Sequence, residues 1–192
     1  MKDGGSFEQC YNAQAAVEVE TMLIVGKRVS DAPNDKEQMQ PTLAVVSPVA
    51  GAVGAVLIDS GYYSEKAVTS VEDGGHGPKV YAAVKRQGHS RSVSQLEERP
   101  DPPRSAPIRP DPPPGAKAGE IMAHRLETKA GGELYKLRKQ TVEPVFGIIK
   151  EALGFRRFLL RGLEKVNLEW TLVSSRYNLK RLFNLGMTIK VG

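Results

Sequence analysis

Apolar and polar side chains alternate in two short runs near the start of the chain. Residues 10–19, CYNAQAAVEV, alternate well enough to predict a strand, and residues 22–30, MLIVGKRVS, predict a second one rich in β-branched side chains. The polar break at Glu20 and Thr21 makes a hairpin the simplest link. Residues 1–9 are polar and glycine-rich, without a pattern of their own. Asn34 followed by Glu37 resembles a helix N-cap with its capping-box partner, and Met39, Leu43 and Val46 recur at helical steps. A helix is expected from Asp35 to about Val46, flawed by Pro41.

Residues 52–58 form an unbroken apolar run of the kind shown by a strand covered on both faces. The run stops at Asp59, Gly61 permits a sharp turn, and Ser64 can cap the helix EKAVTSVE. Residues 80–84, VYAAV, predict one more short strand. In sheets with helical crossovers, functional groups gather at the carboxyl ends of strands, which is where Asp59 falls. As a sequence pattern alone, Asp59 simply begins a turn.

Residues 85–125 break the pattern. Residues 100–114 contain eight of the thirteen prolines, a density that forbids helix and central strand and predicts an exposed spacer. A ligand for a polyproline-binding module is the functional alternative.

The next stretch, residues 135–158, reads YKLRKQTVEPVFGIIKEALGFRRF, with Glu143 set among Arg138, Lys139 and Lys150. The seven-residue step from Glu143 to Lys150 is almost two helical turns, so both are expected on one face. Pro144 cannot donate an intrahelical hydrogen bond, and a kink or a fresh start near Thr141 is expected. Phe155 and Phe158 then interleave with Arg156, Arg157 and Arg161, so the rings can pack while guanidinium groups reach phosphates. A last helix over residues 168–183 places Leu168, Leu172, Leu179 and Phe183 near one face, with Arg176, Lys180 and Arg181 largely away from it. Trp170 and Tyr177 are read as packing residues rather than base-stacking ones.

Charge sharpens this picture. The 192 residues carry a net +5, but residues 134–192 hold twelve Lys and Arg against four Glu, a local +8 that leaves −3 for the rest. Such a concentration suits a polyanionic partner, although a solvated helix face also explains a charge run. Hydrophobic residues make up 40% and aromatic residues 6%, so the core is expected to be modest. The single cysteine, Cys10, excludes an intrachain disulfide and suits a reducing cytoplasm. No apolar run is long enough to span a membrane, and His76, His89 and His124 have no Cys or His at zinc-ligand spacing.

The run TKAGGELYKLRKQTVEPVFGIIKEALGFRRFLLRGLEKVNLEW closely resembles the C-terminal part of bacterial insertion-sequence transposases with a DDE catalytic domain. The blocks YNAQAAVEVETMLIVGKRVSDAPNDKEQMQPTLAVV and VLIDSGYYSE are similar to the middle of the same domain. The resemblance implies an α/β fold, a partial RNase H-like arrangement with a mixed sheet flanked by helices. It divides the chain into residues 1–84, a Pro-rich flexible insertion at 85–133, and a helical part at 134–192. It maps a Tyr-Arg-Glu-Lys signature onto Tyr135, Arg138, Glu143 and Lys150, with Lys139 at the usual three-residue spacing from Glu143, and matches Asp59 to the second catalytic acid.

Asp59 and Glu143 are thereby implied as catalytic residues and ligands of Mg2+ or Mn2+. Tyr135, Arg138, Lys139 and Lys150, joined by Arg156 and Arg157, would contact DNA. Moving a phosphodiester between oxygens suits two divalent ions held by three convergent carboxylates. The first acid of the family lies upstream of the block near Tyr11. The chain is therefore expected to be a C-terminal fragment without its first strand and DNA-binding region, inactive alone and exposing sheet edges. Glu18, where relatives often carry Asp, is not assigned as the missing acid, and Asp35 is given a helix-dipole role. Expected partners are DNA, as element ends and target, and an intact transposase subunit. Two alternatives stay open: a non-catalytic DNA-binding remnant that modulates an intact transposase, and an RNase H-like nuclease.

Overall fold

The structure, a computed structural model, describes residues 11–84 and 115–187, together with the backbone of Lys2–Asp3 and Ser6–Phe7. The chain divides into two compact units, one made of Met1–Gly54 with Lys136–Gly192 and the other of Ala55–Tyr135. The division falls inside a helix, and not at the edges of the expected 85–133 insertion. Of that insertion, the Pro-rich residues 100–114 lie outside the described residues, whereas Ala118–Glu127 is helical.

In the first unit the strands β1 (Lys2–Asp3) and β2 (Ser6–Phe7) pair antiparallel. The strands β3 (Asn12–Val17) and β4 (Ile24–Ser30) form the expected hairpin, from Asn12 opposite Ser30 to Val17 opposite Ile24. Glu18 closes its turn: the carboxylate accepts from the backbone N–H of Glu20 (3.0 Å) and of Thr21 (2.6 Å), and from the Thr21 hydroxyl (2.5 Å). In β4, Gly26 makes room for the next segment, since a Cβ there would lie 3.0 Å from Val46 Cγ2. The N–H of Ser47 bonds the Val25 carbonyl alongside it (2.8 Å).

The expected helix from Asp35 to Val46 is shorter, with α1 spanning Met39–Leu43. Asn34 does not cap it; its side chain turns back to the N–H of Lys36 (3.3 Å). Pro41 falls in the first turn, where a helix has no use for its missing N–H. Asp35 therefore lies outside the helix, and instead of facing the dipole its carboxylate accepts from Asn12 Nδ2 (2.6 Å) and from Gln14 Nε2 (2.9 Å).

A core forms where the hairpin meets the C-terminal helices. It contains Ile24, Val29, Val145, Ile149, Val166, Trp170 and Tyr177, so Trp170 and Tyr177 pack as expected. Phe146 stacks on Trp170 (5.8 Å between ring centroids), and Phe155 and Phe158 close around the same indole.

The last helix, α5 (Leu163–Asn184), does more than fill this core. Asn178 accepts from the Ile24 N–H (2.9 Å) and donates to the Ile24 carbonyl (2.8 Å), while Asn167 accepts from the Val29 N–H (2.8 Å). The helix thus covers part of the β4 edge that would otherwise invite another strand, correcting the expectation of a bare edge there. It also corrects the expected packing face. Leu168, Leu172, Leu179 and Phe183 are exposed, and Val166, Trp170, Ser174 and Tyr177 are buried. Hydrophobicity misses this because Asn167, Asn178 and Arg181 serve the hairpin backbone, so the inward face is partly polar.

In the second unit, β5 (Ala55–Ile58) runs parallel to β6 (Lys79–Ala82), joined through α2 (Glu65–Glu72). The cap works as expected, Ser64 Oγ accepting from the Ala67 N–H (3.2 Å). Helix α3 (Ala118–Glu127) packs against β6, where Met122 is buried and its sulfur meets the Ala82 N–H (3.3 Å). Among the described residues the strands form three two-stranded sheets. A mixed α/β composition stands. On the β4 edge, the N–H and the carbonyl of Ile24 are both bonded to Asn178.

Candidate active site

Asp59 is the first residue after β5, on an exposed turn. Its Oδ1 accepts from the Ser60 N–H (2.7 Å), and its carbonyl accepts from the Tyr62 N–H (3.0 Å), which folds the turn back toward the Ser64 cap. Because β5 and β6 are parallel, their carboxyl ends lie on the same side. Tyr135 joins those ends: its hydroxyl accepts from the Ala83 N–H (3.2 Å) and donates to the Ile58 carbonyl (3.3 Å). The resemblance assigned Tyr135 to DNA, but its oxygen is committed to the backbone that carries Asp59. Only the fold reveals this, since Tyr135 and Ile58 are far apart in sequence.

A second tie holds β6 from the other end. Glu72 accepts from the Val80 N–H (2.8 Å) and pairs with Arg125, whose guanidinium also donates to the Val80 carbonyl (2.5 Å). Burial alone would raise the Glu72 pKa. The Arg125 hydrogen bond, the Val80 N–H and the charges of Arg125 and Lys79 outweigh it and hold the carboxyl below its ordinary value.

Glu143 lies on α4 (Lys129–Gly147), in the part that belongs to the first unit. The helix runs on through Pro144, and no new start occurs at Thr141, whose hydroxyl donates to the Leu137 carbonyl (2.6 Å). The irregularity comes later, as a π-helical turn over Ile148–Ala152. Such turns relieve a disturbed hydrogen-bond ladder. Val145 and Ile149 are buried, while Glu143 and Lys150 remain exposed.

Arg138 reaches to 3.9 Å from Glu143, its own side chain only 14% exposed, whereas Lys139 is exposed. Of the two cations that could accompany the acid, Arg138 is therefore the one beside it. Arg156 and Arg157 are both exposed on the loop whose Phe155 and Phe158 pack inward, and Arg156 pairs with Glu151 (2.5 Å).

Asp59 belongs to the Ala55–Tyr135 unit and Glu143 to the other. Among the described residues, no group of three or more His, Cys, Asp or Glu is arranged to hold a metal ion. No helix among them is long and apolar enough to cross a membrane.

Residues 101–183 match the sequence family described as a transposase DDE domain. No curated protein and no solved structure matches the chain. The match supports a transposase DDE domain, and its span includes Glu143, Arg138, Lys139, Lys150, Arg156 and Arg157 but not Asp59.

Proposed function

We propose that this chain carries part of the catalytic apparatus of a DDE transposase of the insertion-sequence type, with DNA as its substrate. The match over residues 101–183 carries this reading, because it contains the exposed Glu143 with Arg138 beside it. A divalent ion, Mg2+ or Mn2+, would supply activation of an attacking oxygen and stabilisation of a leaving one in phosphodiester cleavage and strand transfer. Asp59 and Glu143 are the hard oxygen donors such an ion takes. The described residues do not assemble the three-acid site, so the roles argued further are those of the chain's own side chains.

Arg138 stands 3.9 Å from the exposed Glu143 carboxylate. Lys139, Lys150 and Arg157 present exposed cations to phosphates, and Arg156 shares that surface while paired to Glu151. Tyr135 positions the strand end that bears Asp59, in place of a direct DNA contact. The ends of the element and its target are the DNA partners, and an intact transposase subunit is a partner that could complete the acid set.

The test is Mg2+- or Mn2+-dependent nicking of element-end DNA by the purified chain, alone and mixed with an intact transposase. Activity lost in both Asp59→Ala and Glu143→Ala supports the reading; activity kept in either removes that residue from the site. Salt-sensitive binding with no metal dependence and no cleavage would favour a DNA-binding module, a reading supported by the exposed arginines at 156 and 157. Metal-dependent cleavage of an RNA strand without strand transfer would favour an RNase H-like nuclease.

A further inference from the structure

The loop between the π-helical turn and α5 presents apolar side chains to solvent at its tip. Leu159 is 75% exposed and Leu160 46%, and residues 152–163 contain three arginines and no acid. Arg157 and Arg161, before and after the two leucines, are exposed as well. Single exposed leucines are ordinary on a surface. Two neighbours framed by cations, on a backbone held as firmly as this one, are a different case.

The loop is fixed along its length. Gly154 and Gly162 take left-handed φ values of 73° and 89°, which let the chain turn out of one helix and back into the next. Between them Phe155 and Phe158 anchor on Trp170, and the Tyr11 hydroxyl accepts from the Gly162 N–H (2.8 Å). At the tip, the Glu169 carboxylate accepts from the Leu159 N–H (2.9 and 3.1 Å to its two oxygens) and from the Leu160 N–H (3.1 Å). Glu169 thus fixes the backbone of the tip and leaves its side chains uncovered. A backbone ordered in advance lowers the cost of binding.

Charge selects the occupant. Cations on both sides of the tip suit a polyanion, and phosphates gripped by Arg157 and Arg161 would bring the leucines between them to the sugars and bases. Leucine cannot bond a phosphate; it gains where it meets the apolar face of a base. In a duplex those faces are stacked, so an apolar side chain reaches them by opening a base step and kinking the helix. We propose that Leu159 and Leu160 form a wedge that enters the base stack of DNA gripped by Arg157 and Arg161, with Glu169 as the positioning residue that holds the wedge. The proposal rests on DNA being this chain's substrate, and needs neither Asp59 nor Glu143 to act.

Fluorescence anisotropy with the full chain compares a fully paired DNA duplex with one of the same length carrying a central mismatched step, where the bases are already loosened. The mismatched duplex should bind about tenfold more tightly, because much of the unstacking cost has been met. Leu159→Ser with Leu160→Ser should abolish that preference while the far-UV circular dichroism spectrum stays that of the parent, since both side chains are exposed. Glu169→Ala should reduce the preference, and Glu169→Gln, which keeps one acceptor oxygen, should restore part of it. Arg161→Ala should weaken binding to both duplexes by the same factor. Equal affinity for the two duplexes, or a preference indifferent to the leucines, overturns the wedge while leaving DNA as the substrate. Binding to neither duplex overturns the DNA reading itself, and the wedge with it. Leucine-dependent binding to vesicles of phosphatidylserine and phosphatidylcholine, without a mismatch preference, would overturn the wedge and assign the tip to an anionic membrane surface.

Discussion

Single residues in this chain do work that their local sequence does not announce. Gly77 follows α2, and a Cβ there would lie 1.8 Å from the Val71 carbonyl oxygen. Gly77→Ala should cost about 1–3 kcal/mol, as overpacking against backbone does, measured by urea unfolding followed by circular dichroism. Glu72 is the titrating counterpart. Its folded pKa lies below the ordinary 4.5 because its hydrogen bonds and neighbouring cations outweigh its burial. Its contribution is complete above that ordinary value and is lost as pH falls through the lowered one. Glu18, lowered mainly by its bond to the Thr21 hydroxyl, has the same sign. The thermal midpoint should therefore drop on acidification through this range. Glu72→Gln should be less stable than the parent at neutral pH, with the difference shrinking as acid protonates Glu72. A constant difference across the titration would contradict the linkage. Asp59 was visible at the residue scale as the end of an apolar run. The commitment of Tyr135 to the strand ends was not, because that contact closes across most of the second unit.

At the scale of elements, periodicity located the hairpin, the parallel strands and the capped α2 within a few residues. It failed where polar side chains make tertiary hydrogen bonds. The outward row of α5 has the stronger hydrophobic pattern, yet the helix docks through the face bearing Asn167 and Asn178. Those amides replace the backbone partners a neighbouring strand would supply. Asn178→Ala removes two hydrogen bonds to Ile24 and should destabilise by about 1–3 kcal/mol, taking about 1 kcal/mol for each bond. Fluorescence of the only tryptophan, Trp170, which sits in the same core, reports that transition. An unchanged denaturation midpoint would show that the edge is satisfied in another way. Similarly, Pro144 predicted a break in α4 that did not occur at Thr141. Burial of Val145 and Ile149 holds the helix in place, and the ladder adjusts through the π-helical turn.

At the scale of the whole molecule, the uneven charge makes a prediction about DNA. The basic excess of residues 134–192 should give binding that weakens steeply with salt. If Arg157 contacts one phosphate, Arg157→Ala should reduce the slope of log K against log salt by about 1, equally for different sequences, in fluorescence anisotropy titrations. A change restricted to one sequence would instead indicate base recognition. The units themselves are not sequential blocks: Met1–Gly54 joins Lys136–Gly192, with Ala55–Tyr135 between them in sequence. A reading by composition follows the chain and finds its boundaries at the proline-rich stretch. Compactness is decided by contacts made across that order.

By itself, the sequence determined what local physics and residue chemistry control. It placed strands by alternation, α2 by its serine cap, Asp59 after an apolar run, and an excess of cations around and beyond Glu143. Only tertiary structure decided which face of α5 was buried, and that Tyr135 ties together the ends of two parallel strands. The reason is that a side chain's local pattern fixes the face on which it stands. Whether that face meets solvent, a strand edge or another backbone depends on residues remote in the chain.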